Sequence, residues 1–229
     1  MDDLTSLTVT EAATRRLRQD IIAGDLAPAT RLRLRDLVER YGFGTTPLRE
    51  ALSRLVAEGL VHVEGQKGFS VPPVTREHLL DITGTRQVVE VEAFSLAMQA
   101  GGAAWEDEIV ASLSLLRREV ERREPGSMAW HDAYELKHHR FHQALISACP
   151  LAALRDVCEE LYDQTTRYRR VMKTALADWT RAVAVHQELA DAALARDVAA
   201  GRAALHAHIG STARIVAPAL FGPDGDASN

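Results

Sequence analysis

The sequence predicts a mainly α-helical chain: a helix-turn-helix with an appended hairpin at the amino end, then an all-α antiparallel bundle. Three observations predict it. Residues 34–60 carry two apolar stripes at helical spacing, parted by Gly42-Phe43-Gly44. Residues 61–71 alternate around a glycine-bearing turn. From Val74 to Pro218 apolar residues recur at helical spacing, with no strand pattern between them.

Taken in order, Leu7 to Gly24 places Val9, Ala13, Leu17 and Ile21 on one helical face, with Thr8 or Thr10 available as cap and Gly24, Asp25 and Pro28 to break the helix. Leu34, Leu37, Val38 and Tyr41 form the next stripe, which Gly42 ends with a residue free to take positive φ. The following helix starts at Thr45 or Thr46, whose hydroxyl can cap it, with Pro47 in the first turn where its missing N–H costs little. Leu48, Ala51, Leu52, Leu55 and Val56 make its inward stripe, leaving Arg49, Ser53 and Arg54 on or beside the outer face. That is the layout of a recognition helix. Val61, Val63, Phe69 and Val71 then sit at period two on either side of Glu64 to Gly68, so the turn carries Lys67 at its tip, suited to a phosphate or a minor groove.

Pro72-Pro73 stiffens the chain before a new helix begins. Helices are expected over about 75–100, 105–123, 128–148, 151–175, 178–195 and 197–217, separated by Gly101-Gly102, Pro125-Gly126 and Pro150 and capped near Asp178 and Asp197. Short joints of this kind predict an antiparallel bundle. The expected division is 1–73, 74–217 and a frayed tail over 218–229.

Composition limits the function classes. A length of 229 residues with 46% apolar and 26% charged residues is that of an ordinary globular chain with room for a substantial core. No apolar run approaches the ~20 residues of a membrane span, and Met-Asp-Asp is no signal-peptide start, so a cytoplasmic location is expected. Net charge is −5, yet acids and bases number about ten each up to residue 75. DNA binding would therefore rest on a local basic face of Arg33, Arg35, Arg49, Arg54 and Lys67. Cys149 and Cys158 fit neither a metal motif nor a disulfide framework and read as reduced helical thiols.

The run LRLRDLVERYGFGTTPLREALSRLVAEGLVHVEGQKGFSV resembles the winged helix-turn-helix of the GntR transcriptional regulators, whose P-x-R-E-A-L core stands here as Pro47 to Leu52. The resemblance implies DNA contact by Arg35, Thr46, Arg49 and Lys67. Where that family commonly has Ser-Arg this chain has Gly44-Thr45, so Thr45 occupies a contact position with a different side chain. The segment AGDLAPATRL is similar to the family's S-G-x-L-x-P-G-x-x-L, with Ala29 in place of the turn glycine.

In the bundle, histidines occupy inward positions. Tyr134, His138, Phe141, His142 and Leu145 share one face, as do Trp179, Ala182, Val183, His186, Leu189 and Ala190, and then Leu205, His208, Ile209, Thr212 and Ile215. One such histidine is more often a hydrogen-bonded core residue than a ligand. Three helices with the same habit point to a shared cation, since buried imidazoles without compensation are costly. His138 and His142, one turn apart, would give a two-nitrogen edge for a divalent metal. His131, His139 and His206 read as surface residues or supporting partners.

The segments TRQVVEVEAFSLAMQAG, KHHRFHQALISAC and HQELADAALARDVAAGRAALHAHI resemble the helical ligand-binding domain of the FadR-type (FCD) branch. There the metal ligands commonly form D-x-x-F-H, then a histidine, then H-I, which fall on His142, His186 and His208. His138 stands at the aspartate position. Four imidazoles supply no anionic oxygen and favour zinc, nickel or copper over manganese or calcium; zinc or nickel is expected. The resemblance further implies a small carboxylate effector, with Tyr134 and Arg86 as candidate contacts. Arg86, four residues before Glu90, has the alternative of a surface ion pair.

The expected function is a homodimeric regulator that reads palindromic double-stranded operator DNA and responds to metal and effector in its helical domain. Two alternatives stand beside it. One is a regulator with a metal-free effector and dimerisation bundle. The other is a metal-dependent hydrolase, against which HHRFH lacks the glutamate of H-E-x-x-H and no G-x-S-x-G occurs.

Overall fold

A computed structural model of the chain describes residues 7–63, 65, 68–124, 127–172 and 179–222. Among these residues there are nine helices and three short strands. Helix α1, Val9–Ala23, starts from Thr8 in a reciprocal capping box: the Glu11 amide donates to Thr8 Oγ1 at 3.2 Å and the Thr8 amide donates to Glu11 Oε2 at 2.8 Å. Helix α2, Leu34–Tyr41, ends at Gly42 with φ 71°. Helix α3, Thr45–Ala57, departs from expectation at its start, because the cap is Gly44 and no threonine hydroxyl bonds its first amides.

The hairpin strands β2, His62–Val63, and β3, Phe69–Ser70, pair antiparallel, His62 with Ser70 and Val63 with Phe69. A third strand that the sequence did not signal, β1, Arg31–Leu32, pairs with the other edge of β3, giving the order β1-β3-β2. Two residues are too few to show period-two alternation. Val61 and Val71 are buried as expected, but Val63 is 53% exposed because β2 is an edge strand. Lys67, expected at the tip, lies outside the described residues.

The chain divides into two compact units, Met1–Thr75 with Asp163–Val171, and Arg76–Tyr162 with Met172–Asn229. The first is built on Ala13, Leu17, Ile21, Leu37, Leu48, Ala51, Leu52 and Leu55, the stripes of α1, α2 and α3, closed by Leu32 of β1 and by Val61 and Val71, which flank β2 and β3. A polar knot around the buried Asp20 adds to it. Asp20 of α1 accepts from Tyr41 Oη at 2.6 Å and Arg40 Nη2 at 3.0 Å, so Tyr41 is tied by its hydroxyl as well as packed by its ring. Burial and the Asp20 carboxylate push the Tyr41 phenol well above its usual range.

The second unit contains α4, Arg76–Ala100; α5, Ala103–Glu121; α6, Met128–Ile146; α8, Trp179–Leu194; and α9, Val198–Phe221. Helix α7, Ala152–Met172, contributes its first half here and its second half to the other unit. Neighbours run antiparallel. Gly201 of α9 lies beside Phe94 and Met98 of α4, whereas Gln87, nearer the α4 start, donates to the carbonyl of His206 at 2.9 Å. On α5 and α6, Trp105 Nε1 bonds the Leu145 carbonyl at 3.3 Å and Trp130 Nε1 bonds that of Glu119 at 2.8 Å. Gly201 is a close-approach residue: an added Cβ would stand 2.8 Å from Met98 Cε.

Two details differ from expectation. Helix α9 runs past 217 and through Pro218 to Phe221, held by the buried Val216 and Ala217; residues 223–229 lie outside the described residues. Ile215 is 42% exposed, and Ala213, Val216 and Ala217 take the inward face, because steps of four, three and three residues from Leu205 fall behind the helical period of about 3.6 within three turns. No described helix is long and apolar enough to cross a membrane.

Candidate metal centre and nucleic-acid interface

Inward spacing on α6, α8 and α9 brings four imidazoles together. One ring nitrogen from each of His138, His142, His186 and His208 lies within 4.8 Å of the others. The first three are buried, and His208 is partly buried. Nε2 of His142 stands 3.1 Å from Nε2 of His208. Such a pair either shares one N–H···N hydrogen bond or directs both lone pairs at a common cation. Two nitrogens bound tetrahedrally to zinc at 2.0–2.1 Å would be about 3.3–3.4 Å apart. Ring centroids in the cluster are separated by 4.6 Å for His138 and His142, 4.7 Å for His186 and His208, and 6.2 Å for His138 and His208. Rings radiating from one tetrahedral ion would have centroids about 5 Å apart. The donor set therefore fits a borderline divalent ion, and the absence of carboxylate from it disfavours calcium or magnesium.

Around the cluster, Tyr134 stacks on His138 at 5.5 Å and on Trp130 at 5.6 Å, a ladder that i,i+4 spacing builds along α6. Tyr162 of α7 places its hydroxyl 2.6 Å from Nδ1 of His138. Sequence reasoning missed Tyr162, although Cys158 and Tyr162, one turn apart, mark the inward face of α7. His139, expected at the surface or in support, stacks on Tyr162 with centroids 4.4 Å apart and bonds Glu159 at 2.9 Å. His206 is exposed and sits against Gln87.

Arg86 is not the surface ion-pair residue that sequence spacing allowed. It is 3% exposed, bonds Glu90 through Nε and, at 3.0 Å, through Nη2, and holds its guanidinium 5.2 Å from the Tyr162 ring centroid. Helix α4 buries both partners because its inward face also carries Ile82, Val91 and Phe94. Periodicity shows which face a charged residue lies on, but not whether a neighbouring helix covers it.

The interface residues of the first unit share a different environment. Thr45, Thr46, Arg49 and Ser53 are exposed along one side of α3, opposite the buried Leu48, Ala51, Leu52 and Leu55. Arg33, Arg35 and Arg54 are exposed too, and Arg35 makes a surface pair with Asp36 at 3.3 Å. Such a pair contributes little to stability and is readily exchanged for a phosphate.

Comparison with known proteins agrees with both halves. Residues 9–71 match the family described as bacterial regulatory proteins, gntR family, and residues 81–211 match the FCD domain. The HTH-type transcriptional repressor GlaR of Escherichia coli K12 is 36% identical over 219 residues, covering 91% of this chain and 96% of its own. The uncharacterized regulator BphR of Paraburkholderia xenovorans LB400 is 39% identical over 209 residues, covering 90% and 84%. In fold, E. coli McbR/YncC superposes with a TM-score of 0.79 at 24% identity, covering 92% of this chain and 97% of that one. A GntR regulator from Rhodococcus sp. RHA1 does so at 0.71 and 22%, covering 90% and 96%. The chain thus belongs to the gntR family of bacterial regulators, carries an FCD domain as its helical part, and is a DNA-binding transcriptional regulator rather than an enzyme.

Proposed function

We propose that this regulator acts in the cytoplasm as a homodimer on palindromic operator DNA, with residues 1–73 as reader and residues 74–217 as sensor of a divalent metal and a small carboxylate. The observation that carries the sensing half is the convergence of His138, His142, His186 and His208 within 4.8 Å. Zinc or nickel suits four imidazoles. When bound, the ion supplies positive charge and a coordination position that a carboxylate oxygen can take. Tyr134 walls the site by stacking on His138, and Arg86 lies over the Tyr162 ring, where an effector carboxylate would have to compete with Glu90 for its guanidinium.

On the reading side, Arg49, Thr45 and Thr46 face the major groove and Arg35 takes backbone phosphate, with Lys67, outside the described residues, as a further contact on the strength of the sequence. The uncapped start of α3 at Gly44 leaves its first amides to a phosphate oxygen as well.

Elemental analysis of purified protein and gel shifts with DNA from beside its own gene test the two halves separately. Stoichiometric zinc or nickel is expected. His186→Ala and His208→Ala should each lower metal content and melting temperature, and metal occupancy equal to wild type in both variants rejects the cluster. A salt-sensitive, competitor-resistant DNA complex is expected, and its absence with and without candidate acids rejects the reader. A metal-free sensor, the second reading, would show effector-dependent shifts in protein that carries no metal.

A further inference from the structure

Helices α5 and α8 leave a groove between them of about 390 Å³, within the second unit. It is not part of the histidine site, since none of the four clustered imidazoles lines it. That volume suits a small organic molecule, and the spaces between bundle helices are a common place for one.

The groove has two unlike ends. Val110 and Arg117 are seven residues apart on α5, as Gln187 and Leu194 are on α8, so each helix turns one apolar and one polar residue to the groove, two turns or about 10 Å apart. Arg117 Nη1 donates to Gln187 Oε1 at 3.4 Å, which sets the polar residues side by side. Val110 and Leu194 are 54% and 38% exposed, and the buried Leu113 and Ala190 line the groove from the core.

Exposed apolar surface does not by itself name an occupant, but the charge does. Elsewhere in this unit Arg86, Arg140, Arg196 and Arg202 are each paired with a carboxylate, those of Glu90, Glu108, Glu106 and Glu92. Arg117 and Arg118 both line the groove and are exposed, and among the described residues neither has a carboxylate within ion-pair distance. Glu121 lines the same end without pairing to either, and Asp191 is held by Gln187 Nε2 at 2.8 Å. The two guanidiniums against one lining carboxylate leave the groove positive in a chain whose net charge is −5.

We propose that this groove binds a small amphipathic monoanion. Its head lies against the guanidiniums of Arg117 and Arg118, and its apolar body, about 10 Å long, runs past Leu113 and Ala190 to Val110 and Leu194. A guanidinium is weakly hydrated and presents paired donors, so it takes a carboxylate or sulfonate head at low desolvation cost. The body removes apolar surface of Val110 and Leu194 from water, so head and body both contribute. The site stands whether or not the histidines hold a metal.

The test is titration calorimetry of full-length protein with decanoate, acetate and decylammonium. Decanoate should saturate one site per chain and bind at least about ten-fold tighter than acetate, which lacks the body, or decylammonium, which reverses the head. The double variant Arg117→Ser, Arg118→Ser and the single variant Val110→Asp alter exposed side chains; each should keep the wild-type melting temperature and weaken decanoate about ten-fold. His186→Ala should bind it as wild type does. Wild-type affinity in either groove variant overturns the inference, as does decylammonium binding as tightly as decanoate, or no saturable decanoate site. Loss of binding in His186→Ala with retention in Val110→Asp places the anion at the imidazoles and overturns it too. Sedimentation adds one further check: a dimer that Val110→Asp converts to monomer means that a second copy fills the groove, which rejects the small-molecule site.

Discussion

Ala29 shows how one residue can carry a local cost inside a well-packed unit. Its φ is 62°, in the left-handed region that L side chains with a Cβ avoid, and its amide is committed to the Val71 carbonyl at 3.0 Å. The family pattern has glycine at this place, so the substitution noted in the sequence is a strained one. Ala29→Gly should stabilise the chain by about 0.5–1 kcal/mol, read as a higher denaturant midpoint with unchanged slope. An unchanged midpoint would show that the strain is relieved elsewhere. Arg196 also has positive φ, 55°, but it is held there by donating to the carbonyls of Met98 at 2.6 Å and Gly101 at 2.8 Å, which close the end of α4. Cys158 makes a different point. Burial, reinforced by the Glu90 carboxylate, pushes its thiol up to about 12. Since the thiolate is the nucleophile, Cys158 should resist thiol reagents at pH 8 in folded protein and react fully once denatured. Rapid labelling of native protein at this residue would contradict its packing against the core.

At the scale of elements, α3 shows the closest agreement between sequence and structure. Its buried stripe follows the spacing of Leu48, Ala51, Leu52 and Leu55, and its outer side is exposed as that spacing requires. Arg49→Ala should leave the fold intact and reduce operator affinity about ten-fold, with a smaller salt slope if the contact is to phosphate or relaxed specificity if it is to a base. Affinity and salt slope both at wild-type values would remove Arg49 from the interface. Helix boundaries in the second unit were likewise legible, because Gly101-Gly102 and Pro150 break continuous patterns. The cap of α3 was not, since a threonine near a helix start signals a capable side chain without showing whether the backbone enters one residue earlier.

Across the whole molecule, the division of α7 between two units is the feature with the widest consequence. Asp163, Gln164, Arg167 and Tyr168 complete the packing of a unit whose other residues end at Thr75. A fragment spanning residues 1–75 should therefore be less stable than the same segment in the intact chain, with faster amide exchange in α1 and around Leu60. Equal protection would mean that the α7 segment contributes little. Periodicity, breakers and inward histidines by themselves determined the helical class, the order of the helices and four candidate ligands, because each is a property of neighbours three or four residues apart. Only the folded chain decided that Arg86 is covered, that Tyr162 completes the histidine site and that α7 seats the end of α3. Those contacts join residues about 24 to 106 positions apart, a separation at which spacing along the sequence carries no information about which faces meet.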